Sequence, residues 1–345
     1  MTERAVEQLD VGVVGEYLEG VIDGFKGLKE AKKFADGQSN PTLLLTADSG
    51  KYVLRRQPPG DLLPSAHQVD REYRVIAALA DTDVPVPRAY HLCEDRSIIG
   101  SKFYVMSFED GRILWEPALP ELPSNADRAA FYDEMNRVLA ALHSVDVEAV
   151  GLSDFGRPGS YFERQTNRWV KQYRASETEK IEAMDALIDW LAENMPADDG
   201  VVSLIHGDYR LDNMIFHKTE NRVIAVLDWE LSTLGHPLAD LAYQCMQLRL
   251  PGGEGQLRGL MGVDRAAIGI PSEEEYVAAY CRRRGLSGVP NWGFYLAFSA
   301  FRLAAIVQGV YKRGLDGNAS SEKAMQFGKI VPVLSQIALD WTKER

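Results

Sequence analysis

The sequence predicts an α+β protein of two lobes, a small sheet-rich one followed by a larger helical one. Three observations predict it. The chain has 345 residues, more than one small core usually holds. Up to about residue 106, short apolar runs alternate with turn residues. Beyond residue 112, apolar residues recur at helical spacing, broken only by a strand-like stretch over 204–230.

In chain order, "FADGQSNPTLLLTADSGKYVLRRQPPG" reads as β-rich runs divided by Gly-Gln-Ser-Asn-Pro and Asp-Ser-Gly turns. "SAHQVDREYRVIAALA" follows as a helix, with Val69, Tyr73, Ile76 and Leu79 on one face. "VPVPRAYHLC" and "KFYVMSF" supply two more strands. These make an N-terminal lobe over 1–106, and residues 107–112, around "EDGR", make the hinge. Helical periodicity then marks "RAAFYDEMNRVLAALHSV", "ETEKIEAMDALIDWLAENM", "EEYVAAYCRRR", "GFYLAFSAFRLAAIVQGVYKR" and "AMQFGKIVPVLSQIALDWT" within a lobe over 113–345. A cleft between such lobes is a common place for a small ligand.

Composition narrows the function class. A net charge of -12 speaks against broad contact with nucleic acid or an anionic membrane. Cys93, Cys245 and Cys281 are far apart and odd in number, which suits reduced thiols in a cytoplasmic protein better than a disulfide framework or a zinc site. The start, "MTERAVEQLD", has no apolar stretch after a basic region, so no signal peptide is expected. The most apolar long run, "FYLAFSAFRLAAIVQGVY", is interrupted by Arg302 and Gln308, as a buried helix would be, and no membrane span is expected.

The stretch "LIHGDYRLDNMIFHKTENRVIAVLDWE", residues 204–230, sets polar residues between three short apolar runs. Asp208, Asn213 and Asp228 are hard oxygen donors of the kind magnesium takes in small number, with phosphate oxygens and water completing its octahedron. One aspartate free of metal can deprotonate a hydroxyl while the Asn and the other Asp hold the ions. Arg210, two residues beyond Asp208, can spread the charge of a transferring phosphoryl group. "HGDYRLDN", residues 206–213, resembles the protein-kinase catalytic loop HRDLKPEN without a gap, and "VLDWE" stands where protein kinases carry DFG. The HGD form resembles the aminoglycoside and choline phosphotransferase superfamily. That resemblance implies a bilobal kinase-like fold using ATP and Mg2+, with Asp208 as catalytic base, Asn213 and Asp228 as metal ligands, and Arg210 in place of the loop lysine.

Features outside the motif fit the same family. "YVLR" sits where VAIK would, which makes Arg55 the phosphate-orienting cation. Neighbours on a strand point to opposite faces, so either Arg55 or Arg56 faces the ligand, not both. Glu72 falls on the buried stripe of its helix, where a carboxylate is costly without a partner, and Arg55 is the natural one. "FYVMSFEDG" matches the strand entering the hinge, with Met106 lining the adenine pocket and the backbone of Ser107 and Glu109 facing the adenine edge. No GxGxxG occurs; "DGQSNPT" replaces it, offering Ser39 and Asn40 as phosphate contacts. No long activation loop ending in APE follows Asp228, which weighs against a protein substrate. His206 reads as a structural brace, His143 and His236 as packing or capping residues, and Trp229 as core. Glu230 is either a water-mediated metal contact or a surface ion pair, and Asp240 either a loop brace or an N-cap.

Residues 1–244 carry 25 Lys and Arg against 41 Asp and Glu, whereas residues 245–345 carry 13 against 9. Arg249, Arg258, Arg282 to Arg284, Arg302 and Arg313 belong to that surplus, which predicts either an anion-attracting pocket or scattered solvated arginines. "YVLRRQPPG" and "FRLAAIVQGVYKRG" are similar to the branch of the superfamily fused to acyl-CoA dehydrogenases. The expected activity is phosphorylation of a small-molecule hydroxyl, with a hydroxyacyl-CoA or another anionic metabolite as acceptor. The alternatives are an aminoglycoside kinase and a nucleotide-binding module without turnover.

Overall fold

The turn-punctuated N-terminal region forms five strands in a computed structural model: β1 (Leu28–Lys33), β2 (Thr42–Ala47), β3 (Gly50–Arg56), β4 (Ala89–Cys93) and β5 (Phe103–Ser107). They make one antiparallel sheet in the order β1-β2-β3-β5-β4. The structure describes residues 9–34, 40–58, 67–252, 257–317 and 322–343. The chain divides into two units. The first is Met1–Ile113, Glu148–Leu152 and Asp212–Ser232; the second is Leu114–Val147, Ser153–Leu211 and Thr233–Arg345.

In the first unit, a helix absent from the expected elements, α1 (Val11–Val21), covers the sheet. Its sequence, VGVVGEYLEGV, is poor in helix formers, so packing rather than propensity holds it. Asp10 caps its first turn, accepting from the amides of Gly12 and Val13. Val14, Leu18, Ile22 and Phe25 pack into one core with Leu45, Tyr52, Leu54 and Phe103. Tyr52 and Leu54 therefore face α1, and by strand alternation Val53 and Arg55 project from the opposite face. The expected helix, α2 (Val69–Leu79), packs on β4 and β5 with Val69, Glu72, Val75, Ile76 and Leu79 buried. Residues 212–232 add a short hairpin, β7 (Met214–Phe216) with β8 (Val223–Val226). Arg112 pins the segment 107–112 to it: its amide donates to Phe216 and its guanidinium to the carbonyls of His217 and Glu220.

The second unit contains α3 (Asn125–His143), α4 (Tyr161–Ser176), α5 (Glu182–Glu193), α6 (Leu238–Arg249), α7 (Glu273–Arg284), α8 (Trp292–Leu315) and α9 (Ile330–Trp341). One antiparallel pair, β6 (Ser203–Ile205) with β9 (Thr233–Gly235), accompanies them. The sequence shows α4 poorly because its buried residues, Tyr161, Phe162, Thr166, Tyr173 and Ser176, make no aliphatic stripe. The helix expected over 324–342 begins as a 3-10 segment, Glu322–Lys329, and becomes α9 only at Ile330. Pro332 then lies in its first turn, where a missing N–H costs nothing. α8 packs against α4, α5, α6 and α9. It is long and apolar enough to cross a membrane, and 72% of its most apolar window is buried inside the protein, as in a core helix.

Candidate active site

Each unit carries one charged cluster built from the residues singled out above. In the first, Arg55 leaves β3 on the face opposite α1. Its Nε lies 2.8 Å from Glu72 Oε2, and its Nη2 donates to Asp228 Oδ1 at 2.6 Å with Glu230 Oε2 at 3.7 Å. Register parity is thereby settled for the Glu72 pairing: Arg55 makes it, while Arg56 is buried on the side of Leu54.

Glu72 is 1% exposed and is satisfied from three sides. Besides Arg55, Asn40 Nδ2 donates to Oε1 at 2.8 Å and the Tyr104 hydroxyl to Oε2 at 3.2 Å. Tyr104 reaches it because β5 sets it directly opposite Arg55. Burial pushes the Glu72 carboxyl up to about 7; Arg55 pulls it back, but Asp228 and Glu230 add to the rise. Burial also opposes charge on Arg55, yet the surrounding carboxylates, Glu72 foremost, hold the guanidinium above its ordinary value. Three carboxylates thus share one cation.

Asn213 and Asp228 lie at the same end of the hairpin. Met214 pairs with Val226, and the Leu227 amide donates to the Asn213 carbonyl at 2.8 Å. Asp228 takes a left-handed backbone, φ 65° and ψ 58°, which Asp tolerates better than most residues. The Trp229 indole beside it is buried core, donating to the Val226 carbonyl. This donor set, one carboxamide and one carboxylate at one hairpin end, fits an ion that draws its remaining ligands from phosphates and water.

In the second unit, β6 delivers the chain into His206, Gly207 and Asp208. Asp240, on the first turn of α6 and fully buried, receives the amides of His206 at 2.6 Å and Gly207 at 2.8 Å. It is thus the brace and not the N-cap, a place taken by Pro237. His143 Nε2 lies 3.3 Å from the same carboxylate, with the Tyr280 hydroxyl 2.7 Å from Nδ1. Burial lowers the His143 pKa. Burial would raise that of Asp240, but His143, His206 and the His206 amide bring it below the usual value. A neutral His143 donating from Nε2 satisfies both directions. Gly207 has φ 84°, which favours glycine, and its carbonyl accepts from Arg302 Nη2 at 2.5 Å. Arg210 Nε stands 3.7 Å from Asp208 Oδ1, and Tyr243 lies near Asp208, its hydroxyl pKa pushed up by burial first and by the Asp208 charge next.

Other predicted positions divide. Met106 is buried on β5, paired with Val53. The Ser107 amide donates to the Arg88 carbonyl, and its hydroxyl donates to Glu109. Asn40 is buried on Glu72 and His67, not presented from a loop tip. Ser39 lies outside the described residues. His206 is fully buried, and His236 lies against Asp199 and the Tyr295 ring. The arginines of the basic surplus are divided, with Arg282 and Arg313 exposed and others paired. Arg249 pairs with Glu273, Arg258 with Glu116 and Arg283 with Asp133; Arg284 reaches Ser144, and Arg302 is buried. Sequence reasoning missed Tyr104, Tyr243 and the placement of Arg302, for which a lone charge inside an apolar helix is the available signal.

The family model described as "Phosphotransferase enzyme family" matches residues 30–292. Acyl-CoA dehydrogenase family member 10 of Mus musculus is 49% identical over 331 residues, which cover 95% of this chain but 31% of that protein. The chain thus spans under half the length of the curated relatives it matches. A crystal structure from Ralstonia eutropha, provisionally described as an aminoglycoside phosphotransferase, is 49% identical with a TM-score of 0.89, covering 98% of this chain and 99% of that one. Spectinomycin phosphotransferase, solved with ADP and spectinomycin, shares the fold at a TM-score of 0.65 and 14% identity, covering 97% and 99%. Two units bearing these clusters, a five-stranded antiparallel sheet and the family match agree, and the chain belongs to the phosphotransferase enzyme family.

Proposed function

We propose that the chain transfers the γ-phosphoryl group of ATP, with Mg2+, to an alcohol hydroxyl of a small molecule, and that the acceptor is a hydroxyacyl-CoA. The observation that carries this reading is Arg55 bridging the buried Glu72 and Asp228, because a cation so fixed is placed to orient phosphates. Asp208 accepts the acceptor's hydroxyl proton as the new O–P bond forms. The bond from the γ-phosphorus to the bridging oxygen breaks, and ADP leaves. Arg210 balances the charge that spreads over the phosphoryl oxygens. Asn213 and Asp228 hold the magnesium, which supplies charge neutralisation to the phosphates. Met106 with the backbone of Glu109 borders the adenine. The acceptor class rests on the relatives named for acyl-CoA dehydrogenases; of the basic surplus, Arg249, Arg258 and Arg283 lie against carboxylates.

The test incubates the chain with γ-labelled ATP and Mg2+ against a 3-hydroxyacyl-CoA, choline and kanamycin. Label on the CoA ester that disappears in Asp208→Asn is the expected result. Label on kanamycin alone refutes the acceptor, and ATP binding without any transfer refutes catalysis.

A further inference from the structure

Arg302 stands in the middle of α8 among Phe298, Ala300, Phe301, Ala304 and Ala305, all buried. It is itself only 6% exposed, and among the described residues no carboxylate pairs with it. A buried guanidinium is costly unless something nearby offsets its charge. Here the offsets are the Gly207 carbonyl at 2.5 Å and two aromatic faces, Tyr243 at 5.3 Å and Trp169 at 5.7 Å from ring centroid to guanidinium carbon. Sequence propensity does not account for it, since a leucine there would satisfy the helix.

What the arginine touches is informative. The Gly207 carbonyl belongs to the peptide unit whose nitrogen is that of Asp208, so the hydrogen bond fixes the plane from which the Asp208 side chain departs. Tyr243, lying under the same guanidinium, also stands beside Asp208: burial first, and the Asp208 charge next, push its hydroxyl pKa up. Tyr243 is one helical turn beyond Asp240, which holds the amides of His206 and Gly207. One face of α6 and one residue of α8 thus hold His206 and Gly207 by amide and carbonyl and set Tyr243 beside Asp208. We infer that Arg302 and Tyr243 are a positioning pair for Asp208, fixing its incoming peptide and its carboxylate for proton abstraction. This rests on the reading of Asp208 as the base.

The experiment measures steady-state MgATP turnover, with water and then a short 3-hydroxyacyl-CoA as acceptor, beside the thermal midpoint of each variant. Displacing a reacting group by about 1 Å costs on the order of a hundredfold in rate. Arg302→Ala is therefore expected to lower kcat about a hundredfold with KM for ATP within about twofold, and millimolar methylguanidinium restores at least about tenfold of it. Tyr243→Phe, which removes one hydroxyl, is expected to lower kcat about tenfold at unchanged KM and midpoint. Wild-type kcat in Tyr243→Phe overturns the pair. So does an Arg302→Ala loss that follows its thermal midpoint and ignores methylguanidinium. Asp208→Asn separates the two readings. If it keeps wild-type turnover, the base assignment fails and the pair with it. If it is inactive while both other variants match the wild type, the positioning pair alone fails.

Discussion

Replacing Asp240 by Asn changes two atoms' chemistry at constant shape, and the structure fixes what that costs. The Asp240 Oδ2 receives the His206 amide at 2.6 Å and faces His143 Nε2 at 3.3 Å, while Oδ1 receives the Gly207 amide at 2.8 Å. The less costly orientation of the asparagine keeps its oxygen on the His206 side and sets its NH2 against the Gly207 amide, donor against donor. A hydrogen bond to a charged acceptor is worth about 1.5–3 kcal/mol, and the two that survive lose their charge assistance. The expected loss is about 3 kcal/mol. The second unit has roughly 200 residues, for which that corresponds to a fall of about 6–12 °C in its thermal midpoint. Calorimetry reads this directly. The pH dependence gives an independent sign. The folded state lowers the Asp240 pKa, so its stabilisation is present above the ordinary carboxylate value and lost as pH falls through the lower folded one. The wild type therefore shows an acid limb that the Asn variant lacks. A midpoint within about 2 °C of the wild type, with that limb intact, would refute the reasoning.

Arg55→Met leaves Glu72 buried without its cation; removing one partner of such a pair costs about 3–5 kcal/mol, less whatever Glu72 recovers by taking up a proton. Glu72 is raised from 4.5 to about 7, so its contribution is intact below its unfolded value and lost as pH rises through about 7; chemical denaturation at pH 5 and 8 should find the first unit weaker at pH 8. Asp208→Asn is expected to lower turnover by at least about a hundredfold while thermal midpoint and ATP affinity hold, read by coupled assay and calorimetry. Gly207→Ala forces a Cβ into a left-handed backbone at φ 84° and should cost about 1–2 kcal/mol, measured by urea unfolding.

Local chemistry was the legible part. Helical spacing put Glu72 on a buried stripe, and the structure finds it buried there against Arg55. Alternation said that only one of Arg55 and Arg56 faces the ligand, the buried stripe of α2 named Arg55 as the partner of Glu72, and the structure pairs those two. Asn40 read as a loop residue because its partners, Glu72 and His67, lie about thirty positions away in the chain. Composition counts charges but not their partners, and Arg249 and Arg283 meet carboxylates on other helices. Arg302 was conspicuous as a charge in an apolar run, yet nothing in the run says that it serves Gly207.

The first unit is assembled from three stretches of chain, ending with residues 212–232, and its Arg55 must wait for Asp228, 173 positions later. During synthesis, the sheet can pair as soon as β5 emerges, but its charged face stays incomplete until α3, α4 and α5 of the helical unit have also left the ribosome. Long sequence separations of this kind slow folding, because loop closure is lost before the contact repays it. A nascent chain halted after Ile113 therefore exposes an arginine and a glutamate with no third partner. The order of synthesis makes the second unit's early helices bystanders to the completion of the first. A pulse-labelled chain should gain protease resistance in its N-terminal sheet only after residue 232 has been made.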